Sequence, residues 1–140
     1  MGLWPAGLAG ALRSGQVSKI LLIALGAALG ANLRYAVSVA AAQRWGAAFP
    51  YGTLLINVSG SALIGVVLAL AARTGLTAPW RLLLVTGFLG GYTTFSSFTW
   101  ETYQLAVEGG LGPALLNVAG SVGLGLGSVV VGAALVRLLP

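Results

Sequence analysis

Residues 87–98 read Gly-Phe-Leu-Gly-Gly-Tyr-Thr-Thr-Phe-Ser-Ser-Phe, a run in which glycines, hydroxyls and aromatic ring edges come together. Gly90 and Gly91 are adjacent, and Thr93 and Thr94 follow almost at once. After proline, glycine costs a helix most, and threonine can turn its hydroxyl onto its own backbone. Yet the run lies inside an uncharged stretch, Leu82 to Trp100, long enough to cross a bilayer. These residues predict a helix that breaks near Gly90 and restarts near Thr94. Irregular backbone at membrane depth is tolerated only where protein or a water-filled cavity surrounds it. Freed carbonyls there suit a cation, and freed amides or hydroxyls suit an anion. The chemistry to expect is an ion site at mid-membrane.

Other polar residues recur at helical spacing. Thr53, Asn57 and Ser61 share one helix face, as do Asn117, Ser121 and Ser128 with Gly125 in the gap. Phe95 and Phe98 are three apart, and Glu101 and Thr102 continue their face one turn on. Taken singly, such residues commonly bond neighbouring helices or pack against lipid. Three coincident stripes beside a broken helix point instead to a lined path. Amide, hydroxyl and ring-edge groups all turn partial positive charge toward an anion. A full positive charge in the wall would hold the ion too tightly, because conduction needs moderate, multi-site binding. Arg34 has two readings, an anion-attracting charge at a vestibule or a structural arginine that snorkels or pairs with a helix-end carbonyl. Glu101 has three: a proton-linked group, a hydrogen-bond partner inside the stripe, or an interfacial acid. Its place one turn beyond Phe98 favours the second. Gly26 and Gly30 make a small-residue step suited to close helix packing.

The elements that must position these groups follow from composition. The chain has 140 residues, 58% hydrophobic and 6% charged, with mean hydropathy +0.98, the profile of a membrane protein. Cysteine and histidine are absent, which removes thiol chemistry and most transition-metal sites. The only acids are Glu101 and Glu108, so no carboxylate pair suited to hydrolysis is expected beyond those two. The net charge of +5 is scattered rather than patched, so no nucleic-acid partner is expected. The chain reads as one all-α membrane domain of four transmembrane helices with a break in the third. The spans fall at about 20–42, 51–72, 82–107 and 114–136, after a short lead-in at 1–19. A signal peptide would place its basic residues before its apolar run, whereas Leu3 and Trp4 precede Arg13 here. Arg34 must lie inside the first helix, because the uncharged run before it is too short to cross. A loop is expected through Gly75, Thr77 and Pro79, and a tight turn through Gly109, Gly110, Gly112 and Pro113. Four spans put both termini on one side with Arg13, Lys19, Arg73, Arg81 and Arg137, so the termini favour the cytoplasm by a modest margin. A weak internal echo pairs Asn57 with Asn117, Gly65 with Gly125, and Leu29-Gly30 with Leu89-Gly90. It is either a repeat of two hairpins or chance agreement between helices rich in small residues.

The run Gly90-Gly91-x-Thr93-Thr94-Phe95-Ser96-x-Phe98 resembles the signature of the Fluc (CrcB-type) fluoride channel family. Gly26-Ala-Ala-Leu-Gly30-Ala-Asn-Leu-Arg34-Tyr35 is similar to that family's first helix. Gly52-Thr53-Leu-Leu-Ile-Asn57-Val-x-Gly60-Ser61 is similar to its second. The resemblance implies an antiparallel, dual-topology homodimer, surrounded by membrane lipid in the bacterial inner membrane, that exports fluoride passively and lowers cytoplasmic fluoride. Two fluoride pathways would run along the subunit interface. On this pattern the Phe95 and Phe98 ring edges meet fluoride, Asn57 donates to it, and Ser96 and Ser97 supply pathway hydroxyls. Gly90 and Thr93 match positions whose main-chain carbonyls hold a structural sodium ion (Na+) at the dimer centre. Thr53, Glu101 and Ser121 match a further polar track. The family usually has Thr at the position of Ser97 and often Tyr at that of Asn117, and a second serine can occur at that of Gly125. Two other classes stay open beside this one. A proton-coupled exporter of small cations or drugs would have to use Glu101, the one acid placed for it. A non-transporting assembly subunit would rest on the glycine steps alone. An enzyme is not expected, because nucleophile, base and metal ligands are nowhere gathered.

Overall fold

A computed structural model describes residues 14–139. All of its regular elements are helical. Of the expected lead-in at 1–19, residues 1–13 lie outside the described residues, and the remainder is the first turn and more of α1 (Ser14–Trp45). Gly46, at φ 78°, turns the chain out of that helix. The helix α2 (Tyr51–Thr74) ends on Gly75 in the left-handed conformation, whose N–H caps the Ala71 carbonyl at 3.1 Å. The helix α3 covers 78–92 as Ala78–Arg81, wide π-type turns over Leu82–Leu89, and a last turn Gly90–Tyr92. The helix α4 covers 95–109, as Phe95–Gln104 followed by wide turns over Leu105–Gly109. The helix α5 (Leu111–Arg137) starts after Gly110, at φ 84°.

Both expected loops are shorter than the prolines and glycines suggested. Pro79 sits in the first turn of α3, and Gly112 and Pro113 in the first turn of α5. Proline is tolerated there because a first-turn N–H has no helical partner to lose. Among the described residues, three helices are long and apolar enough to cross a membrane: Gln16–Trp45, Tyr51–Thr74 and Leu111–Arg137. The third span is broken as expected, into two half-length pieces, α3 and α4. At about 1.5 Å per residue neither reaches across a hydrocarbon core of about 30 Å.

Packing follows two seams, α2 along α5 and α1 along α3. Both are backbone-on-backbone. A Cβ on Gly26 would meet the Leu83 carbonyl, and one on Gly91 would lie 2.6 Å from the Ala27 carbonyl oxygen. On the other seam a Cβ on Gly65 would meet the Val129 carbonyl, and one on Gly132 the Ala62 carbonyl. Small residues let membrane helices approach in this way, since dispersion and hydrogen bonds rather than expulsion from water hold them. The packed pairs are also the echo partners, the first helix of each half against the other and the second likewise. At the far end the Arg73 guanidinium donates to the carbonyls of Val136 (2.6 Å) and Leu139 (2.9 Å), tying α2 to the end of α5. Ile56 and Asn117 are the largest fully buried side chains, whereas leucines and valines such as Leu21 and Val130 cover the outside.

Candidate ion site

The break lies later than the glycines predicted. Gly90 keeps helical angles (φ −63°, ψ −35°), and the helix continues to Tyr92. The extended residues are Thr93 (φ −77°, ψ 158°) and Thr94 (φ −149°, ψ 121°), and the chain is helical again from Phe95. The correction has a physical reason. Gly91 is used for its missing side chain, against α1, while the break is set by a bond from another helix. The Asn57 side chain of α2 grips the Thr94 peptide at both ends. The Thr94 N–H donates to Asn57 Oδ1 at 2.9 Å, and Asn57 Nδ2 donates to the Thr94 carbonyl at 3.0 Å.

That grip decides where carbonyls are bared. In an unbroken helix the Thr94 N–H would go to the Gly90 carbonyl; here Asn57 holds it. The Ser97 N–H would go to the Thr93 carbonyl; here it donates to Thr94 Oγ1 at 3.2 Å, an N-cap bond for α4. Gly90 and Thr93 thus both lose their regular partner. Meanwhile the Thr93 N–H (3.0 Å) and hydroxyl (2.9 Å) both donate to the Leu89 carbonyl. The carboxyl end of α3 and the amino end of α4 meet at the break, one carrying partial negative and the other partial positive charge. On the α3 side, the Ser59 hydroxyl donates to the Leu55 carbonyl (2.7 Å) and lies 2.9 Å from the buried Tyr92 hydroxyl. Between these two links Gly60 lets α2 come against Thr93, whose Cγ2 occupies the space of a side chain at position 60.

An open groove of about 390 Å³ runs along the break. It brings together Asn57, Gly90, Thr93, Phe95, Phe98 and Ser121, with Ser61 and Thr94. The Phe95 and Phe98 rings lie 5.8 Å apart, tilted by 46°, and Phe95 is 76% exposed. Asn57 Nδ2 carries two protons and spends one on Thr94. The Ser121 hydroxyl is buried without a partner among the described residues.

Other expected site residues fall elsewhere. Thr53 and Glu101 are joined, the Thr53 hydroxyl donating to Glu101 Oε1 at 2.9 Å, which fits the reading of Glu101 as a hydrogen-bond partner. They line a second cavity, of about 500 Å³, toward the loop at 46–50. Ser97 is half-buried, 3.1 Å from Thr94 Oγ1, and Ser96 is exposed. Arg34 is half-buried on α1 and lines neither cavity. Sequence reasoning missed Thr94 as the residue gripped, the Ser59–Tyr92 link, and the bond from Asn117 Nδ2 to Thr102 Oγ1 at 2.8 Å. Only Thr94 left a local signal, a threonine standing where a restarting helix needs an N-cap.

Residues 21–133 match the family described as CrcB-like protein, Camphor Resistance (CrcB). The chain is 57% identical over 123 residues to "Fluoride-specific ion channel FluC" of Roseiflexus sp. (strain RS-1), covering 87% of this chain and 99% of that protein. It is 51% identical over 122 residues to the protein of the same name from Chloroflexus aurantiacus (strain ATCC 29366 / DSM 635 / J-10-fl), covering 86% and 97%. With that of Solibacter usitatus (strain Ellin6076) it shares 52% over 120 residues, covering 85% and 98%.

Proposed function

The chain belongs to the CrcB-like family, and from that premise we propose that it is a fluoride-selective channel, not an enzyme, through which fluoride leaves the cell passively. The observation that carries this reading is the groove at the break, whose lining holds neutral donors and ring edges and, among the described residues, no charged side chain. An anion losing its water there finds the second Asn57 amide proton, the Ser121 hydroxyl and the positive edges of Phe95 and Phe98. Fluoride that enters an acid-exposed cell as the neutral acid is trapped inside as the anion, and such a path releases it. The proton-coupled alternative would rest on Glu101, which lies outside this groove and is engaged with Thr53.

The working unit is an antiparallel homodimer in the bacterial inner membrane, each chain crossing four times with α3 and α4 as one broken span. The support is the open side of the groove and the exposure of Phe95, which leave an ion path one wall short in a single chain. Thr53 and Glu101 extend the polar track away from the break, and Ser96 and Ser97 lie beside it. A structural sodium ion would be held by the main-chain carbonyls of Gly90 and Thr93, and the donor set fits, because both have lost their helical N–H partners. Bound there, sodium would supply a fixed positive charge that makes an anion nearby less costly.

The test is fluoride efflux from proteoliposomes, read with a fluoride electrode. The wild-type chain is expected to pass fluoride and hold back chloride. Phe95→Ile combined with Phe98→Ile is expected to lose most of the flux. Equal fluoride and chloride fluxes, or an undiminished double variant, would count against the reading.

A further inference from the structure

We infer that Asn57 is the positioning residue of the cation site, keeping the Gly90 carbonyl available by holding the Thr94 peptide away from it. This rests on the sodium reading above. The geometry is direct. Left to itself, the Thr94 N–H is the helical donor for the Gly90 carbonyl, and a transmembrane backbone strongly favours closing that bond because no water competes for it. Asn57 supplies the competing acceptor at 2.9 Å and binds the Thr94 carbonyl at 3.0 Å with the same amide, so the peptide is satisfied in its extended form. Both hydrogen bonds run from Asn57 on α2 to the extended Thr94, so the break belongs to tertiary packing against α2 rather than to the local sequence. Ser59 steadies the α3 side through Tyr92, and Gly60 admits Thr93 between the two links.

A side chain that only met fluoride would leave cation binding untouched. A positioning residue would not. The experiment is therefore sodium affinity, by calorimetric titration of the purified full chain with choline replacing sodium, run beside fluoride efflux. The wild type is expected to bind sodium saturably. Asn57→Leu, close in shape but without either hydrogen bond, is expected to weaken sodium by about tenfold or more, the scale of one to two lost hydrogen bonds. Phe95→Ile with Phe98→Ile is expected to bind sodium as the wild type does, its defect confined to fluoride. If Asn57→Leu does not fold, Asn57→Ser replaces it, still polar but too short to span the Thr94 peptide, with the same weakening expected. Wild-type sodium affinity in whichever of these two variants folds overturns the positioning role while the sodium reading stands. No saturable sodium binding by the wild type overturns the sodium reading itself and the positioning role with it.

Discussion

Asn57 and Asn117 are the same residue type at echoing positions, and they do opposite things to the helix they face. Asn57 bonds backbone: both ends of its amide hold the Thr94 peptide, and the helix there is open. Asn117 bonds a side chain: its Nδ2 donates to Thr102 Oγ1, and the Thr102 hydroxyl donates to the Phe98 carbonyl at 2.7 Å within an unbroken α4. One amide replaces helical hydrogen bonds, and the other leaves them in place. Here a polar residue opens the helix it faces where its partner is the neighbour's main chain, and leaves it closed where the partner is a side chain. The two also differ in completeness. Asn57 is matched at both ends, while Asn117, 1% exposed, has its Oδ1 unpartnered among the described residues.

The largest effect expected from this contrast is in stability. Asn57→Leu strands the Thr94 carbonyl inside the protein, at about 1–3 kcal/mol for a group left unsatisfied, while the Thr94 N–H regains a partner only by closing the break onto the Gly90 carbonyl. The expected loss is about 1–3 kcal/mol for the carbonyl, with the cost of rebuilding the break added to it. Asn117→Leu strands nothing, since Thr102 keeps its bond to Phe98, and it removes an unpartnered acceptor. Its expected change is within about 1 kcal/mol, the worth of a single hydrogen bond. Reversible denaturation in detergent at fixed sodium concentration reads both. Similar losses from the two variants would dissolve the distinction between bonding backbone and bonding side chain.

A smaller effect sharpens the same contrast through glycine. A methyl on Gly91, beside the break, would lie 2.6 Å from the Ala27 carbonyl oxygen and 2.9 Å from its Cα, with only backbone to yield. Gly120, on α5, has Leu54 Cδ1 at 3.9 Å as its neighbour, an ordinary contact with a movable side chain. Gly91→Ala is expected to cost about 1–3 kcal/mol as overpacking does, whereas Gly120→Ala gains up to about 1 kcal/mol of helix propensity. Thermal midpoints of the two variants measure the gap, and equal midpoints would mean the α1 seam yields more than its backbone contacts allow.

The same residues show what the sequence could and could not disclose. The stripes of Thr53, Asn57 and Ser61 and of Asn117 and Ser121 were legible because helical periodicity alone puts them on one face. That a break exists within 87–98 was legible from composition. Its place was not. Helix propensity is local and put it at the glycines, whereas the competing acceptor for Thr94 comes from position 57, on another helix, and no pattern along the chain announces that pairing. Gly90 and Gly91 therefore remain helical, Gly91 serving the approach of α1. Loop ends were misjudged for a related reason: Pro79 and Pro113 look like interruptions in sequence and act as first-turn residues in space.

The smallest expected effect isolates the side-chain half of the comparison. Thr102→Val keeps the shape of the side chain and removes the oxygen that Asn117 Nδ2 reaches at 2.8 Å. Combined with Asn117→Leu in a double-mutant cycle, it should show a coupling of about 0.5–1.5 kcal/mol, the net value of one hydrogen bond. Asn117→Leu combined with Asn57→Asp should instead add within about 0.5 kcal/mol, because the two amides share no partner. Strong coupling in that second pair would mean that the amide on α5 also acts on the Thr94 peptide, and that α2 does not hold the helix open alone.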